Sequence, residues 1–266
     1  MSKIIVETTF ITKLNRPKTV HIYLPTGYDG STRFPVLYMH DGHNLFDAST
    51  SAFGTIWNVH QSLDKIEQET GMNLIVVGID CPSPKRFDEY SPWINHEMRE
   101  YKSYLQQDSA GGEGEQYIDW LVRELKPSID RRYCTNPNLT YLAGSSMGGL
   151  ISLYAGYRYP DVFHKIGVFS PAVWFAKQSL LDYLDQSFDN RLGVYLDIGT
   201  AETSNASVTG FPKIYLTGAR AVRDLLQKKG IRDLLYVEAE GEVHSEAAWA
   251  KRFPNFAQWI LKESTK

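Results

Sequence analysis

The stretch Leu139-Thr140-Tyr141-Leu142-Ala143-Gly144-Ser145-Ser146-Met147-Gly148 carries the strongest structural signal in the chain. Its apolar first half, Leu139–Ala143, predicts a buried strand, and Gly148–Tyr159, which Pro160 closes, predicts a helix. Between the two lies the pattern G-x-S-x-G. A strand, a sharp turn and a helix in this order lift the central serine above the edge of a parallel sheet, so the stretch predicts a nucleophile elbow at Ser146.

The turn around Ser146 explains why these residue types stand there. A strained backbone would raise the hydroxyl, and a Cβ atom at Gly144 or Gly148 would collide with a neighbouring strand or helix. The N–H groups at the start of the following helix would point to where negative charge develops. A glycine-rich turn that only packs closely is the alternative, and the strand-turn-helix context argues against it. Ser145 is the rival nucleophile, but it precedes the elbow serine, so we interpret it as a support residue.

On both sides of this stretch, apolar runs alternate with amphipathic segments. Strands are predicted at residues 4–12, 19–24, 35–40, 74–79, 166–169, 192–198 and 234–238. Helices are predicted at about residues 56–66, 115–126 and 212–229 and from residue 245 onward, with Pro127 closing the second and Pro254 splitting the last. This alternation predicts a mostly parallel central sheet with helices on both faces and antiparallel N-terminal strands. Together with the elbow motif at Ser146, it predicts the α/β-hydrolase fold.

The length and composition predict a single domain over residues 1–266. The chain has 266 residues, of which 42% are hydrophobic, so it can bury a sizeable core. One segment, at about residues 81–114, departs from the alternation and is rich in proline and glycine. Because long irregular segments in a compact domain are usually functional, we interpret it as an insertion over the active site.

Charge and hydropathy exclude several classes of partner. The net charge is −3 and no basic block stands out, so we predict no nucleic acid partner. No apolar run could span a membrane, and the N-terminal residues are too polar for a signal peptide, so we predict a cytoplasmic protein with no membrane partner. Two cysteines, Cys81 and Cys134, form no disulfide framework or metal cluster. Homo-oligomer formation stays open.

The elbow serine requires a base, and His244 is the candidate. In an α/β-hydrolase the histidine follows the last strand, and His244 is placed in the loop after the predicted strand 234–238. Other histidines, at positions 21, 60, 96 and 164, are interpreted as structural or solvated. His244 would take the proton of Ser146 as a general base.

Two carboxylates compete for the role of the acid that orients His244. The acid is expected in the loop after the penultimate strand, where Glu202 follows Gly199. Asp197 stands at the end of that strand and is the alternative, while Asp224 is predicted on a helix and is interpreted as solvated. We favour Glu202 and leave Asp197 open. The acid would hold the imidazole in the correct tautomer and stabilise its charged form.

Two backbone N–H groups are predicted to form the oxyanion hole. One belongs to Met147, the residue after the nucleophile. The other is expected in the loop after the strand 35–40, where His43 is the candidate donor and Gly42 would let the backbone turn toward the site. The His43 side chain is an alternative contact for substrate.

Several motifs together resemble one family of esterases. The motifs are Pro35–Gly42 (PVLYMHDG), Glu124–Pro127 followed by Ile129, Asp130 and Tyr133, Gly144–Gly149, Phe169–Ala172 with Trp174, Gly199–Glu202, and His244 with Trp249. Over about residues 18–260 they resemble the esterase D-like "putative esterase" family. That family includes carbohydrate esterase family 1 with its feruloyl and acetylxylan esterases, enterochelin esterases, S-formylglutathione hydrolases and mycolyltransferases. The match is closest to the subgroup with the motif DGxNLFD, and Cys134 departs from an expected basic residue.

The resemblance implies a triad of Ser146, Glu202 and His244, with Ser170–Trp174 bordering the pocket. It implies an α/β-hydrolase that needs no metal or cofactor. We therefore expect a serine carboxylic-ester hydrolase that acts through an acyl-enzyme on small acyl or aromatic esters, such as feruloyl or acetylated sugars. The alternatives are an acyltransferase with the same triad, a siderophore-lactone or thioester hydrolase, and a non-catalytic binding protein on the same fold.

Substrate contacts are weakly encoded. Trp174, Phe175, Trp93 and Tyr90 are aromatic residues in loops near the predicted site and could stack on a sugar or a phenolic acyl group. Arg86 could bind an anionic group. The alternative for each aromatic residue is that it packs the insertion onto the body of the domain.

Overall fold

The apolar runs form an eight-stranded sheet in a computed structural model, which describes residues 1–52, 54–81, 83–98, 108–205 and 209–262. The strands of this sheet are β1 (Lys3–Ile11), β2 (Arg16–Leu24), β3 (Phe34–His40), β4 (Ile75–Ile79), β7 (Thr135–Ser145), β8 (Lys165–Phe169), β9 (Gly193–Gly199) and β10 (Leu234–Ala239). A separate two-stranded ladder joins β5 (Ile94–Asn95) to β6 (Ala110–Gly111).

The strand order is β1-β2-β4-β3-β7-β8-β9-β10. Strands β1 and β2 pair antiparallel, β2 pairs antiparallel with β4, and the remaining neighbours are parallel. This confirms the predicted mostly parallel sheet with antiparallel N-terminal strands. Because β3, β7, β8, β9 and β10 run the same way, the loops after their carboxyl ends meet at one edge of the sheet, where α/β folds place their sites.

Helices cover both faces of the sheet. They are α1 (Val59–Thr70), α2 (Arg86–Glu89), α3 (Gly114–Trp120), α4 (Lys126–Arg132), α5 (Met147–Arg158), α6 (Lys177–Ser187), α7 (Phe211–Lys228) and α8 (Glu246–Leu261). Side chains alternate across β7: Leu142 packs with residues of α3 to α7, whereas Tyr141 and Ala143 pack with residues of α1 and α8. The predicted fold class is therefore confirmed.

Two prolines behave differently from the prediction. Pro127 does not end a helix, because α3 continues through a π-helical turn at Leu121–Leu125 directly into α4. The wider turn joins the Lys126 N–H to the Leu121 carbonyl and so fits a residue that has no N–H of its own. Pro254 lies inside α8, which stays continuous because Phe253 and Phe256 on either side of it are fully buried. Helix α6 was not predicted.

The segment predicted as an irregular insertion contains short regular elements. A 3₁₀ turn at Ser83–Lys85 and α2 follow β4, and the β5–β6 ladder comes later; residues 82 and 99–107 lie outside the described part. Phe87 stacks on Phe175 at 5.7 Å between ring centroids, and Asn95 Nδ2 donates to the Phe175 carbonyl at 2.7 Å. The segment therefore packs against the loop that follows β8. Among the described helices, none is long and apolar enough to cross a bilayer.

Candidate active site

Ser146 occupies a strained turn between β7 and α5. Its backbone has φ 58° and ψ −119°, and a positive φ is a conformation that serine rarely adopts. Its N–H donates to the Phe169 carbonyl at 2.9 Å, and its own carbonyl accepts from the Ala172 N–H at 2.9 Å. The end of β8 thus holds the strained residue on both sides, which is how such a conformation persists in a folded protein.

The two glycines of the turn are required by close packing. A Cβ atom on Gly144 would lie 2.8 Å from the Gly148 carbonyl carbon and from His40 Cδ2, and one on Gly148 would lie 3.2 Å from His40 Cβ. The His40 side chain therefore packs directly against the two glycines of the elbow. Its ring is buried, with Nδ1 2.8 Å from the Tyr117 hydroxyl, and burial lowers the pKa of His40 to about 3.

His244 and Glu202 meet at the carboxyl edge of the sheet. His244 Nδ1 lies 2.6 Å from Glu202 Oε2, and the Glu202 side chain is fully buried. The other carboxylate oxygen accepts from the Gly199 N–H at 2.8 Å and from the Ser170 hydroxyl. Burial opposes ionisation of Glu202, but the hydrogen bonds from His244, Ser170 and Gly199 outweigh it and lower its pKa. An ionised Glu202 can therefore hold the imidazole from its Nδ1 side.

The carboxylate of Asp197, the alternative acid, contacts Arg252 and not His244. Its carboxylate pairs with Arg252, with Oδ2 2.9 Å from Nε and Oδ1 3.2 Å from Nη2, and Oδ2 also accepts from the Tyr195 hydroxyl at 3.0 Å. Burial outweighs the attraction of Arg252 and raises the pKa of Asp197 to about 6. The geometry therefore favours Glu202 as the partner of His244 and a supporting position for Asp197.

Ser170 connects the two carboxylates. Its hydroxyl donates to Glu202 and accepts from Trp249 Nε1 at 2.9 Å and from Arg252 Nη2 at 3.0 Å. The backbone at Ser170 has φ 43°, so this residue, like Ser146, has a positive φ. Trp249 in addition packs edge-on against the His244 ring at 4.9 Å between centroids. The resemblance placed Ser170 beside the pocket, but the sequence did not indicate its contact with Glu202.

The predicted oxyanion donors lie in two turns at the same edge of the sheet. Met147 is the first residue of α5, and His43 lies in a 3₁₀ turn at Gly42–Asn44. The N–H groups of Asn44 and Leu45 are used within that turn, whereas those of His43 and Met147 donate to no carbonyl in the described part of the chain. Their role in the oxyanion hole stays a prediction.

Gly42 serves a different purpose from the one predicted. The left-handed residue of this loop is Asp41, with φ 56°. A Cβ atom at Gly42 would lie 2.6 Å from the carbonyl carbon of Gly78 in β4. Glycine is therefore needed because the loop crosses the neighbouring strand closely, and not because it turns the backbone.

Arg86 and Tyr90, predicted to contact substrate, both brace the Asp41 loop. Arg86 Nε and Nη2 each lie 2.8 Å from a carboxylate oxygen of Asp41, and Nη2 also reaches the Ser145 carbonyl at 3.3 Å. The Tyr90 hydroxyl accepts from the Asp41 N–H at 3.0 Å, and Tyr90 is fully buried. This arrangement favours packing over substrate contact for Tyr90, and it engages Arg86 with a protein carboxylate.

The predicted tryptophans lie in aromatic clusters. Trp174 packs against Phe211 at 5.7 Å between ring centroids and is 8% exposed. Trp93 lies edge-on to Tyr154 and Tyr183, at 5.7 and 5.8 Å, and is partly exposed. Their contact with a substrate stays a prediction.

Tyr215 was missed by the sequence interpretation and lies among the predicted catalytic residues. Its ring centroid is 4.8 Å from that of His244, and its hydroxyl faces the side chains of Ser146, Ser204 and Trp174. No hydrogen bond joins Ser146 Oγ to His244 Nε2 in the described structure. Tyr215 is a neighbour of both residues. Tyr215 follows Phe211 by one helical turn, so in the sequence it resembles an ordinary core residue.

The comparisons with known proteins agree with this fold. The "Putative esterase" family model matches residues 11–260. The chain is 26% identical to the uncharacterized protein YbbA of Bacillus subtilis over 244 residues, which cover 90% of each chain. It is 26% identical to the ferri-bacillibactin esterase BesA of the same organism over 188 residues, covering 67% of this chain and 62% of that protein.

Solved structures show the same architecture. A structure titled ferulic acid esterase superposes with a TM-score of 0.73 at 14% identity, covering 98% of this chain and 99% of the other. At this identity the likeness shows the fold. The family match, which spans nearly the whole chain, shows more: the protein is a carboxylic ester hydrolase, and the chain belongs to the "Putative esterase" family.

Proposed function

We propose that the protein is a serine esterase in which Ser146 is the nucleophile, His244 the general base and Glu202 the acid that orients it. The observation that carries the proposal is the contact between Glu202 and His244 at the sheet edge that also presents Ser146 in a strained turn. A buried, ionised carboxylate on Nδ1 fixes the proton there and leaves Nε2 to accept a proton from the serine.

The reaction proceeds through two acyl transfers. Ser146 Oγ attacks the ester carbonyl while His244 Nε2 takes the hydroxyl proton, and the N–H groups of Met147 and His43 stabilise the oxyanion. Collapse of the tetrahedral intermediate breaks the bond to the alcohol, which leaves with the proton from His244. Water then attacks the acyl-enzyme by the same route and releases the acid.

The proposed mechanism requires Ser146 Oγ and His244 Nε2 to be hydrogen-bonded only in the reacting complex. Catalytic hydrogen bonds are often long or poorly aligned before substrate binds and tighten in the reacting complex. His244 lies in the loop between β10 and α8, whereas Ser146 is held by backbone hydrogen bonds on both sides. We propose that Glu202 keeps the imidazole oriented during this adjustment.

We propose small acyl or aromatic esters as substrates. The relative BesA is named a ferri-bacillibactin esterase and one structural neighbour a ferulic acid esterase, and both names denote ester hydrolysis. Aromatic side chains near the site, including Trp174 and Phe175, would suit a phenolic acyl group. We propose that the described parts of the segment 81–114 form one wall of the site in a single domain, since Phe87 and Asn95 pack against Phe175.

An acyltransferase or a siderophore-lactone hydrolase would use the same residues, so the substrate must be assayed directly. A panel of p-nitrophenyl esters, methyl ferulate, acetylated xylan and a catecholate lactone should be tested with wild type, Ser146→Ala and Ser145→Ala. We expect Ser146→Ala to lower turnover by about 10⁴- to 10⁶-fold and Ser145→Ala to leave most of it. Added alcohol should give little transfer product; mostly transfer product would favour the acyltransferase.

A further inference from the structure

The Tyr215 hydroxyl is a buried polar group without a role in the triad. Tyr215 is 1% exposed, and its oxygen has no hydrogen-bond partner of good geometry among the described residues. Ser204, Trp174 and Ser146 are near enough to lower the pKa of Tyr215, but burial raises it and outweighs them. A buried hydroxyl without a well-formed hydrogen bond is able to take a further partner, and this one lies beside the proposed nucleophile and base.

The position of Tyr215 suggests which partner. Its ring packs on the His244 imidazole, and its hydroxyl faces Ser146. In the esterase reaction, the alcohol oxygen of the substrate must lie between these two residues, because it is bonded to the carbon that Ser146 attacks and receives its proton from His244. A donor beside both residues can therefore reach that oxygen.

We propose that Tyr215 is a further catalytic residue, whose hydroxyl donates a hydrogen bond to the leaving alcohol oxygen as its bond to the acyl carbon breaks. This inference rests on the esterase mechanism proposed above. The phenol keeps its own proton throughout, while His244 supplies the proton that the alcohol carries away. The hydrogen bond stabilises the negative charge that grows on the oxygen before that transfer is complete.

The proposal predicts a dependence on the leaving group. An alkoxide leaving group develops much negative charge and needs the donor, whereas p-nitrophenolate is already stable and needs it little. Tyr215→Phe keeps the ring against His244 and removes the hydroxyl alone. Because that hydroxyl has no well-formed hydrogen bond to lose, the variant should retain the wild-type Tm.

The test compares kcat/KM, which reports acylation, for p-nitrophenyl and alkyl esters of the same acid. For Tyr215→Phe we expect a fall of about 10- to 100-fold with the alkyl ester and less than about threefold with the p-nitrophenyl ester. Tyr157→Phe is the matched control, since its hydroxyl is also buried and unpaired in the described structure but lies near the end of α5. Its rates should equal those of wild type with both esters.

Equal falls with both esters, or no fall with either, would overturn the role of Tyr215 while leaving the triad in place. A different result would remove the triad: if Ser146→Ala kept the wild-type rate on the p-nitrophenyl ester, the esterase mechanism would be wrong and the role of Tyr215 would go with it.

Discussion

Glu202 Oε2 lies 2.6 Å from His244 Nδ1, although 42 residues separate the two in the chain. Two parallel strands bring them together, since Glu202 follows β9 and His244 follows β10, and these strands are neighbours in the sheet. The loops are also joined directly, because the Ala201 N–H donates to the Glu242 carbonyl at 3.1 Å. The relation between acid and base is therefore a consequence of the sheet topology.

The two candidate acids should respond differently to substitution. Glu202→Gln removes the charge that orients His244, so we expect kcat to fall by about 10³- to 10⁴-fold. Asp197→Asn leaves the contact of Glu202 with His244 but deprives buried Arg252 of its counter-charge, so we expect a loss of about 3 kcal/mol of unfolding free energy and a smaller loss of activity. Steady-state kinetics and urea unfolding of both variants measure the difference. A larger loss of kcat in Asp197→Asn would exchange the two roles.

His40 should make the protein sensitive to acid. Its pKa is 6.5 in the unfolded chain and about 3 when folded, so between these values the unfolded state binds a proton that the folded state does not. The contribution of neutral, buried His40 to the unfolding free energy is complete above pH 6.5. It is lost as the pH falls below this value, by about 1.4 kcal/mol per pH unit. Between pH 7 and about pH 5, the unfolding free energy of wild type should decrease because of His40. We expect the decrease in His40→Gln to be smaller by about 2 kcal/mol.

The control for this effect is His164→Gln, because His164 is exposed. Urea unfolding of wild type, His40→Gln and this variant at both pH values separates the effect of His40 from that of removing a histidine elsewhere. If His40→Gln and wild type lost equal stability on acidification, the neutral, buried state of His40 would be disproved.

Gly42 should be intolerant of any side chain. The new Cβ atom of Gly42→Ala would meet the backbone of Gly78 at 2.6 Å, and the loop must move away from β4, taking the His43 N–H with it. We expect kcat to fall by about 10²- to 10³-fold, as for loss of an oxyanion donor, with a modest loss of Tm. Gly27→Ala is the control, since its nearest neighbour is the flexible end of the Glu67 side chain. Unchanged kcat in Gly42→Ala would argue against a role for this loop in the oxyanion hole.

Arg86 should act through Asp41 and not through substrate. Arg86→Gln leaves the nearly buried Asp41 carboxylate without its partner, so we expect a loss of about 3 kcal/mol of stability, with part of it regained in the double variant Arg86→Gln/Asp41→Asn. The ratio of KM for an anionic and a neutral ester should stay within about threefold of wild type, since less than 1 kcal/mol of binding is involved. A large rise in KM confined to the anionic ester would restore Arg86 as a substrate contact.

The sequence predicted those parts of the site that depend on local pattern and chain order. Ser146 could be identified because glycine spacing, a preceding apolar strand and a following helix are all local features. His244 and Glu202 could be proposed because the order of strands places their loops side by side. Asp197 could not be set aside, since the choice depends on its buried contact with Arg252, which lies 55 residues away.

Other features depend on packing that the sequence pattern does not encode. Tyr215 has the helical spacing of a core residue, and only the arrangement of α7 against the loop of His244 brings its hydroxyl to Ser146. Pro127 and Pro254 normally end helices, but a π-helical turn accommodates the first and buried neighbours hold the helix around the second. Tyr90 is an aromatic residue in a segment with the composition of a binding loop, yet its side chain is completely buried.

Covalent labelling tests the central claim most directly. Wild type, Ser146→Ala and Ser145→Ala should be treated with a fluorophosphonate and the adduct mapped by mass spectrometry. We predict one adduct on Ser146 in wild type and in Ser145→Ala, and none in Ser146→Ala. An adduct on another residue, or wild-type protein that stays unlabelled while it hydrolyses esters, would contradict the assignment of Ser146 as the nucleophile.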